Sequence, residues 1–157
     1  MADLIDQADL EQRIGPRMLA QLLDDDGDAV ADESNVSWVT STASKIAAGI
    51  LRSGFGDYAQ IEALVAADEA VKNDVVEIGC GLAGGRRPGL VGQNGKCPYD
   101  GWRVRAEKRL REVASAKTRA IGEDTAGANK TIATSVSPTR TPCFAATKAN
   151  PQGGGGY

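Results

Sequence analysis

The stretch SNVSWVTSTASKIAAGIL, residues 34–51, decides the fold class. Its apolar positions Val36, Val39, Ala43, Ile46, Ala47, Ile50 and Leu51 recur at helical spacing for about five turns, and Ser34 or Asn35 would cap the start. Upstream lies the acid run Asp24-Asp25-Asp26-Gly27-Asp28, which reads as a turn. Before it, Pro16 suits the first turn of a short helix whose Met18, Leu19, Leu22 and Leu23 form one buried stripe. Asp6 caps an earlier short helix carrying Leu10 and Ile14, closed by Gly15-Pro16. Downstream, Ser53-Gly54-Phe55-Gly56 ends the central helix. Asp57 then caps a longer one with Ile61, Leu64, Val65, Val71, Val75, Ile78 and Leu82 in register, a stripe that Asp68 interrupts. Residues 84–101 (GGRRPGLVGQNGKCPYDG) show neither helical nor alternating periodicity and read as a long glycine-rich loop. A last helix runs from Trp102 to Ile121, with Trp102, Ala106, Leu110, Val113, Ala114 and Ile121 inward and Arg103, Arg105, Lys108, Arg111, Lys117 and Arg119 outward. The expectation is an all-α fold: a small bundle of two short and three long helices over residues 3–122, followed by an extended C-terminal tail, 123–157, with little to bury.

Composition sets the limits on chemistry. The 157 residues are 41% hydrophobic and 25% charged and include no histidine, which removes Ser-His-Asp and Cys-His nucleophile activation and imidazole zinc ligation together. Cys80, Cys97 and Cys143 are odd in number and widely spaced, so neither a disulfide framework nor a zinc site is expected, and a reducing cytoplasm is the default compartment. No apolar run of membrane-spanning length occurs, and the acidic start MADLIDQADLEQR lacks the pattern of an export leader. The net charge of −3 conceals an asymmetry: residues 1–80 carry 5 basic and 16 acidic groups (−11), and residues 81–157 carry 13 and 5 (+8). Such a division suits nucleic-acid contact, and it equally suits identical subunits that set an acidic face against a neighbour's basic face.

Three motifs invite a chemical reading. Gly79-Cys80-Gly81-Leu82-Ala83-Gly84 matches GxGxxG and resembles the first motif of S-adenosylmethionine-dependent methyltransferases. That motif needs a strand before it and a β-α array after it, whereas the preceding residues are helix-periodic. A helix end fraying through glycines is the plainer reading. Gly89–Cys97 resembles a phosphate-binding loop but has one residue too many before Gly95, and Cys97 where a Ser or Thr would hold magnesium. Asp24, Asp26, Asp28 and Asp32 stand at relative positions 1, 3, 5 and 9 of a calcium loop; Ala29 and Asn35 replace the glycine and glutamate expected at positions 6 and 12. Calcium is therefore a candidate cofactor, against the plainer reading of a solvated acidic turn at the next helix's positive end.

Taken in order, DLIDQADLEQRIG, RMLAQLLDDDGDAVADE, SNVSWVTSTASKIAAGIL, a long middle helix and RAEKRLREVASAKTRAIGED resemble the head-tail connector (adaptor, or head-completion) proteins of tailed bacteriophages over roughly residues 3–122. The chain departs from that pattern at Arg52-Ser53-Gly54-Phe55-Gly56 and in the expanded 84–101 loop. The resemblance implies a non-catalytic virion protein of the neck, assembled in the host cytoplasm. It implies a ring of about twelve copies beneath the portal. Its partners would be the portal protein, copies of itself, a downstream stopper or tail-completion protein and the DNA passing through the channel, with no membrane. From composition, residues 123–157 would dock on the portal or a neighbour by extended pairing, with Arg140, Phe144, Lys148 and Tyr157 as anchors, and the basic helix would face the channel or a subunit. A non-specific DNA-binding or packaging accessory protein is the alternative, and a small methyltransferase a minor one.

Overall fold

The computed structural model describes residues 2–87 and 99–135, and among these it contains six helices and no strand. They are α1 (Gln7–Ile14), α2 (Pro16–Leu23), α3 (Glu33–Leu51), α4 (Tyr58–Ala67), α5 (Glu69–Arg86) and α6 (Asp100–Ser135). The all-α class expected from the apolar spacing is what the chain forms. Two compact units divide it, Met1–Glu123 and Asp124–Tyr157, and the side-chain architecture below belongs to the first.

Helix α1 starts at a reciprocal capping box. The Asp9 N–H donates to Asp6 Oδ1 and the Asp6 N–H to Asp9 Oδ2, both at 3.0 Å, so two otherwise orphaned donors are satisfied. Pro16 opens α2, whose Leu19, Leu22 and Leu23 are fully buried. The cap of α3 is Asp32, upstream of both Ser34 and Asn35. Asn35 instead turns back, its Nδ2 donating to the Leu23 carbonyl at 2.8 Å and to Asp25 and Asp32.

Along α3 the buried stripe contains two hydroxyls. Ser44 Oγ accepts the Leu4 N–H and donates to the Thr40 carbonyl, each at 2.8 Å, and Thr40 Oγ1 donates to Asp3 Oδ2 at 3.0 Å. These bonds pin the leading segment to α3 and carry Leu4 and Ile5 into the core. Ile46 and Ile50, expected inside, pack only against its edge.

The long helix expected from Asp57 to Leu82 is two helices. Asp68 ends α4 and caps α5, its carboxylate accepting the N–H groups of Ala70 and Val71 at 2.9 and 3.3 Å. A short polar side chain that competes for backbone donors favours a cap over a helix interior. The break lets α5 run through the middle of the bundle, touching α1, α2, α3 and α4, with Val71, Val75, Ile78, Cys80 and Ala83 in one core with Leu10, Leu22, Val39, Leu51, Ile61 and Leu110.

α6 covers the other side of α5. Among its residues whose burial is described, Ala106, Leu110 and Ala114 are the fully buried ones, and from Ser115 to Ile121 every residue is exposed. Ile121, expected inward, is 52% exposed because the core ends at Ala114. The helix nonetheless continues to Ser135, so residues 123–135 are helical where an extended chain was expected. Most of the 84–101 loop, residues 88–98, lies outside the described residues, while 84–86 belong to α5 and 100–101 to α6. No helix among the described residues is long and apolar enough to cross a membrane.

Candidate functional site

Among the described residues, the candidates expected from the sequence fall on two charged surfaces: the turn between α2 and α3, and the outer side of α6. In the turn, Asp24 accepts the N–H groups of Gly27 at 2.6 Å and Ala29 at 2.9 Å, Asp26 accepts from Asp28 at 3.2 Å, and Asp28 from Val30 at 2.8 Å. Oxygens of Asp24, Asp26 and Asp28 lie within 4.8 Å of one another. Asp32, the fourth expected ligand, points elsewhere: its Oδ2 accepts the Asp25 N–H at 2.8 Å and an Asn35 amide bond. Ala29 has φ 65, the left-handed conformation that favours glycine, at the position where a calcium loop carries one.

The electrostatics of the turn divide sharply. The Gly27 N–H bond, ahead of weaker opposing burial, holds Asp24 below the ordinary carboxylate range. Asp26 lies above it: the Asp28 N–H bond works downward, but the combined charges of Asp28, Asp32 and Asp24 with partial burial outweigh it. Asp25, which the calcium reading passes over, is the residue that ties the turn to the bundle. It takes an Asn35 amide bond, then Arg87 at 3.1 Å and Arg86 at 2.8 Å, and is held below the usual range by them in that order. Arg87 also donates to the Asp24 carbonyl. Three carboxylates can gather oxygen ligands around a hard cation such as calcium, and the side chains left to do so are Asp24, Asp26 and Asp28.

The six expected basic-face residues do not share one face. At 100° per residue, Lys108, Arg119 and Arg105 project opposite Leu110, with Arg111 at their flank, about 100° round from it, and Val104, 68% exposed, at the head of the Lys108, Arg111, Arg119 row. Arg103 lies on the bundle side, its Nε donating to Glu107 at 3.0 Å while its stem packs over Gly81. Lys117 follows Ala114 by three residues and also sits on the bundle side, exposed because the core has ended there. Glu107 accepts from Arg111 as well, at 2.9 Å, and Arg103 and Arg111 pull against its burial to keep it ionised below its usual range. Arg140, Phe144, Lys148 and Tyr157 lie outside the described residues.

No family model, curated protein or solved structure matches the chain. Its function is therefore argued from its own residues.

The strongest charge network was invisible as a motif. Asp74 and Glu77 of α5 are buried, 6% and 9% exposed. Arg109 of α6 reaches both, with Nε at 2.6 Å from Asp74 and Nη2 at 2.5 Å from Glu77, and Arg13 of α1 meets the other Glu77 oxygen at 2.5 Å. Arg13 also lies over the Trp102 ring at 4.9 Å, and Trp102 meets Tyr99 edge-on at 5.0 Å. One pair of acids thus clamps three helices. The available signal was two carboxylates three residues apart beside the Val71, Val75, Ile78 stripe, a placement that demands cations from elsewhere.

The glycine fingerprint lies inside α5 rather than at a frayed end or a strand-to-helix turn. Gly79 and Gly81 are contact points: a Cβ on Gly79 would meet Leu10 at 2.9 Å, and one on Gly81 would meet Arg103 Cβ at 2.6 Å. They let α1 and α6 approach α5 closely. Cys80 between them is buried, and burial pushes its thiol up to about 12, the opposite of an activated nucleophile. The phosphate-loop candidate falls among the residues not described.

Proposed function

We propose that the protein is a head-tail connector of a tailed bacteriophage: a non-catalytic neck component that docks beneath the portal, forms a ring with its own copies and continues the DNA channel toward a stopper or tail-completion protein. The observation that carries the reading is the order of parts, from the two short helices through the Asp-rich turn and the small-residue helix to a closing basic helix. Two further features support it. From Ser115 to Ile121 α6 carries no buried residue, and its outer row Lys108, Arg111 and Arg119 is exposed, which is the form of an assembly element rather than of a closed monomer. The charge division of the chain supplies complementary surfaces for neighbours.

The test is the mass of complexes formed when the full chain is mixed with the portal ring encoded by the same genome. Ring-matched stoichiometry is expected, with loss of binding in a chain carrying alanine at Arg140, Phe144, Lys148 and Tyr157. A portal ring that retains no chain at low salt would overturn the reading, and retained binding by the substituted chain would remove the tail from it.

The outward Lys108, Arg111 and Arg119 also favour a second reading, a non-specific DNA-packaging accessory. Random duplex DNA would then bind with an affinity falling steeply with salt, at a slope of about −0.9 per phosphate neutralised, and no portal complex would form.

A further inference from the structure

The surface opposite in sign to the α6 row is a groove built by other elements. Two hollows of about 420 Å³ each share Asp3, Leu4 and Lys72 on their walls. The first is completed by Asp6, Asp9 and Glu33, the second by Glu62 and Glu69. Six carboxylates therefore surround the single ammonium of Lys72, which is itself occupied by Asp9 at 2.7 Å. Glu33, Glu62 and Glu69 are exposed, and among the described residues no ion pair engages them. The field of the groove is felt by Lys72, whose ammonium is held above its usual range first by the Asp9 hydrogen bond and further by the charges of Asp9, Glu69 and Asp6. Among the described residues, none of α6 lines either hollow.

We propose that this groove receives the outer face of α6 from a second copy of the chain, with Lys108, Arg111 and Arg119 of one subunit set against Glu33, Glu62 and Glu69 of the next. The inference deepens the ring reading above and rests on its premise of self-association. The two surfaces belong to different elements, so the contact is heterologous: each subunit offers one groove and one helix face, and repetition gives a closed ring when the rotation closes. Charge complementarity selects the second copy as occupant. The α6 row is the counterpart in sign and carries an exposed valine, Val104, at its head for the apolar part of the contact. Single exposed pairs contribute little, so the strength of the contact comes from several charges acting together, and it falls with salt as the Debye length shortens.

The experiment is sedimentation velocity on the full chain without portal or DNA, at about 30 mM and about 500 mM salt. Wild type is expected to associate at low salt and to weaken about tenfold or more at high salt. Two variants, K108E/R111E/R119E and E33K/E62K/E69K, are each expected to be monomeric alone with wild-type circular dichroism, because the substituted side chains are exposed. Mixed in equal amounts they restore association, since each then presents the opposite sign to the other. A wild type that stays monomeric at low salt, variants that associate alone, or a mixture that stays monomeric overturns the inference. Association that survives K108E/R111E/R119E but not the groove variant means that the groove takes a different surface of the second copy and overturns the assignment to the outer face of α6. Portal binding is scored separately. A chain that binds the portal ring but never self-associates rejects this interface alone, and self-association without portal binding rejects the connector reading alone.

Discussion

Replacing Arg109 by methionine keeps the aliphatic stem over α5 and deletes the guanidinium that holds Asp74 at 2.6 Å and Glu77 at 2.5 Å. Removing one partner of a fully buried pair costs about 3–5 kcal/mol, because the other charge is left desolvated and alone. Arg109 is not fully buried: its side chain is 45% exposed against 8% for Asp74. Water can therefore reach the vacated position, and Arg13 still serves Glu77, so the expected loss at pH 7 is about 2 kcal/mol. For a domain of this size that lowers Tm by roughly 8 °C. The pH dependence separates this account from simple loss of packing. Burial, working against the Arg109 hydrogen bond, holds the Asp74 carboxyl above its usual range. A folded-state value raised above the unfolded one favours folding in acid, and that advantage is lost as pH rises from the ordinary carboxylate range through the raised value. Without Arg109 the value rises further, so the gap between wild type and variant should be small near pH 4 and widen toward neutrality. Urea titrations at several pH values measure it, and a double-mutant cycle with Asp74→Asn should return a coupling of about 1–2 kcal/mol. A deficit below about 0.5 kcal/mol at pH 7, or one equal at pH 4.5 and pH 8, would refute the clamp.

Two other predictions concern backbone and metal. A Cβ on Gly54 would stand 2.5 Å from the Ala114 carbonyl oxygen and 2.9 Å from its Cα, both main-chain atoms that cannot swing aside. Gly54→Ala should cost about 2–3 kcal/mol by thermal melting, whereas Gly49→Ala, with nothing within 4 Å, should be neutral or gain about 0.5–1 kcal/mol; equal effects would exclude the close approach. In the acidic turn, three carboxylates without a distal bidentate glutamate should bind calcium with a Kd on the order of 1 mM. About 5 mM calcium would then stabilise the fold by about 1 kcal/mol, read as a Tm rise that Asp26→Asn abolishes, and an unchanged Tm removes the metal from the turn.

The helices were legible wherever local signals agreed. Asp6 with Leu10, Pro16 with the Leu19, Leu22, Leu23 stripe, and the Val36 to Leu51 repeat each combined a start signal with one buried face, and each gave a helix close to its expected bounds. The errors arose where one residue had two meanings. Asp68 read as a blemish in a long stripe, yet its carboxylate satisfies two N–H groups of a new helix, and the apolar register across the break is shared because both helices pack on one core. Gly79 and Gly81 were read as a helix weakening, since propensity counts glycine against a helix. Their meaning is tertiary, set by Leu10 and Arg103 from distant parts of the chain. Nothing in α6 alone could show that Arg109 reaches the buried acids of α5 while Arg111 meets only Glu107 of its own helix, because the difference lies in which of them faces Asp74.

The same distinction governs the charge asymmetry. Counted along the sequence, the acidic first part and basic second part look like two uniform surfaces, but the fold consumes a portion of each. Asp74 and Glu77 are neutralised by Arg13 and Arg109, and Asp25 by Arg86 and Arg87, so much of the cation excess turns back on the acids of its own subunit. What remains at the surface for other molecules is smaller and better placed: Glu33, Glu62 and Glu69 around one groove, and along one helix row Arg119 with Lys108 and Arg111, which pair only with Glu112 and Glu107 of their own helix. Reversing the charges of Arg13 and Arg109 should destabilise the fold, because Asp74 and Glu77 are buried, without informing on assembly. Reversing the surface groups should leave the fold intact and change only what it binds, which makes the exposed residues, rather than total charge, the quantity on which the function turns.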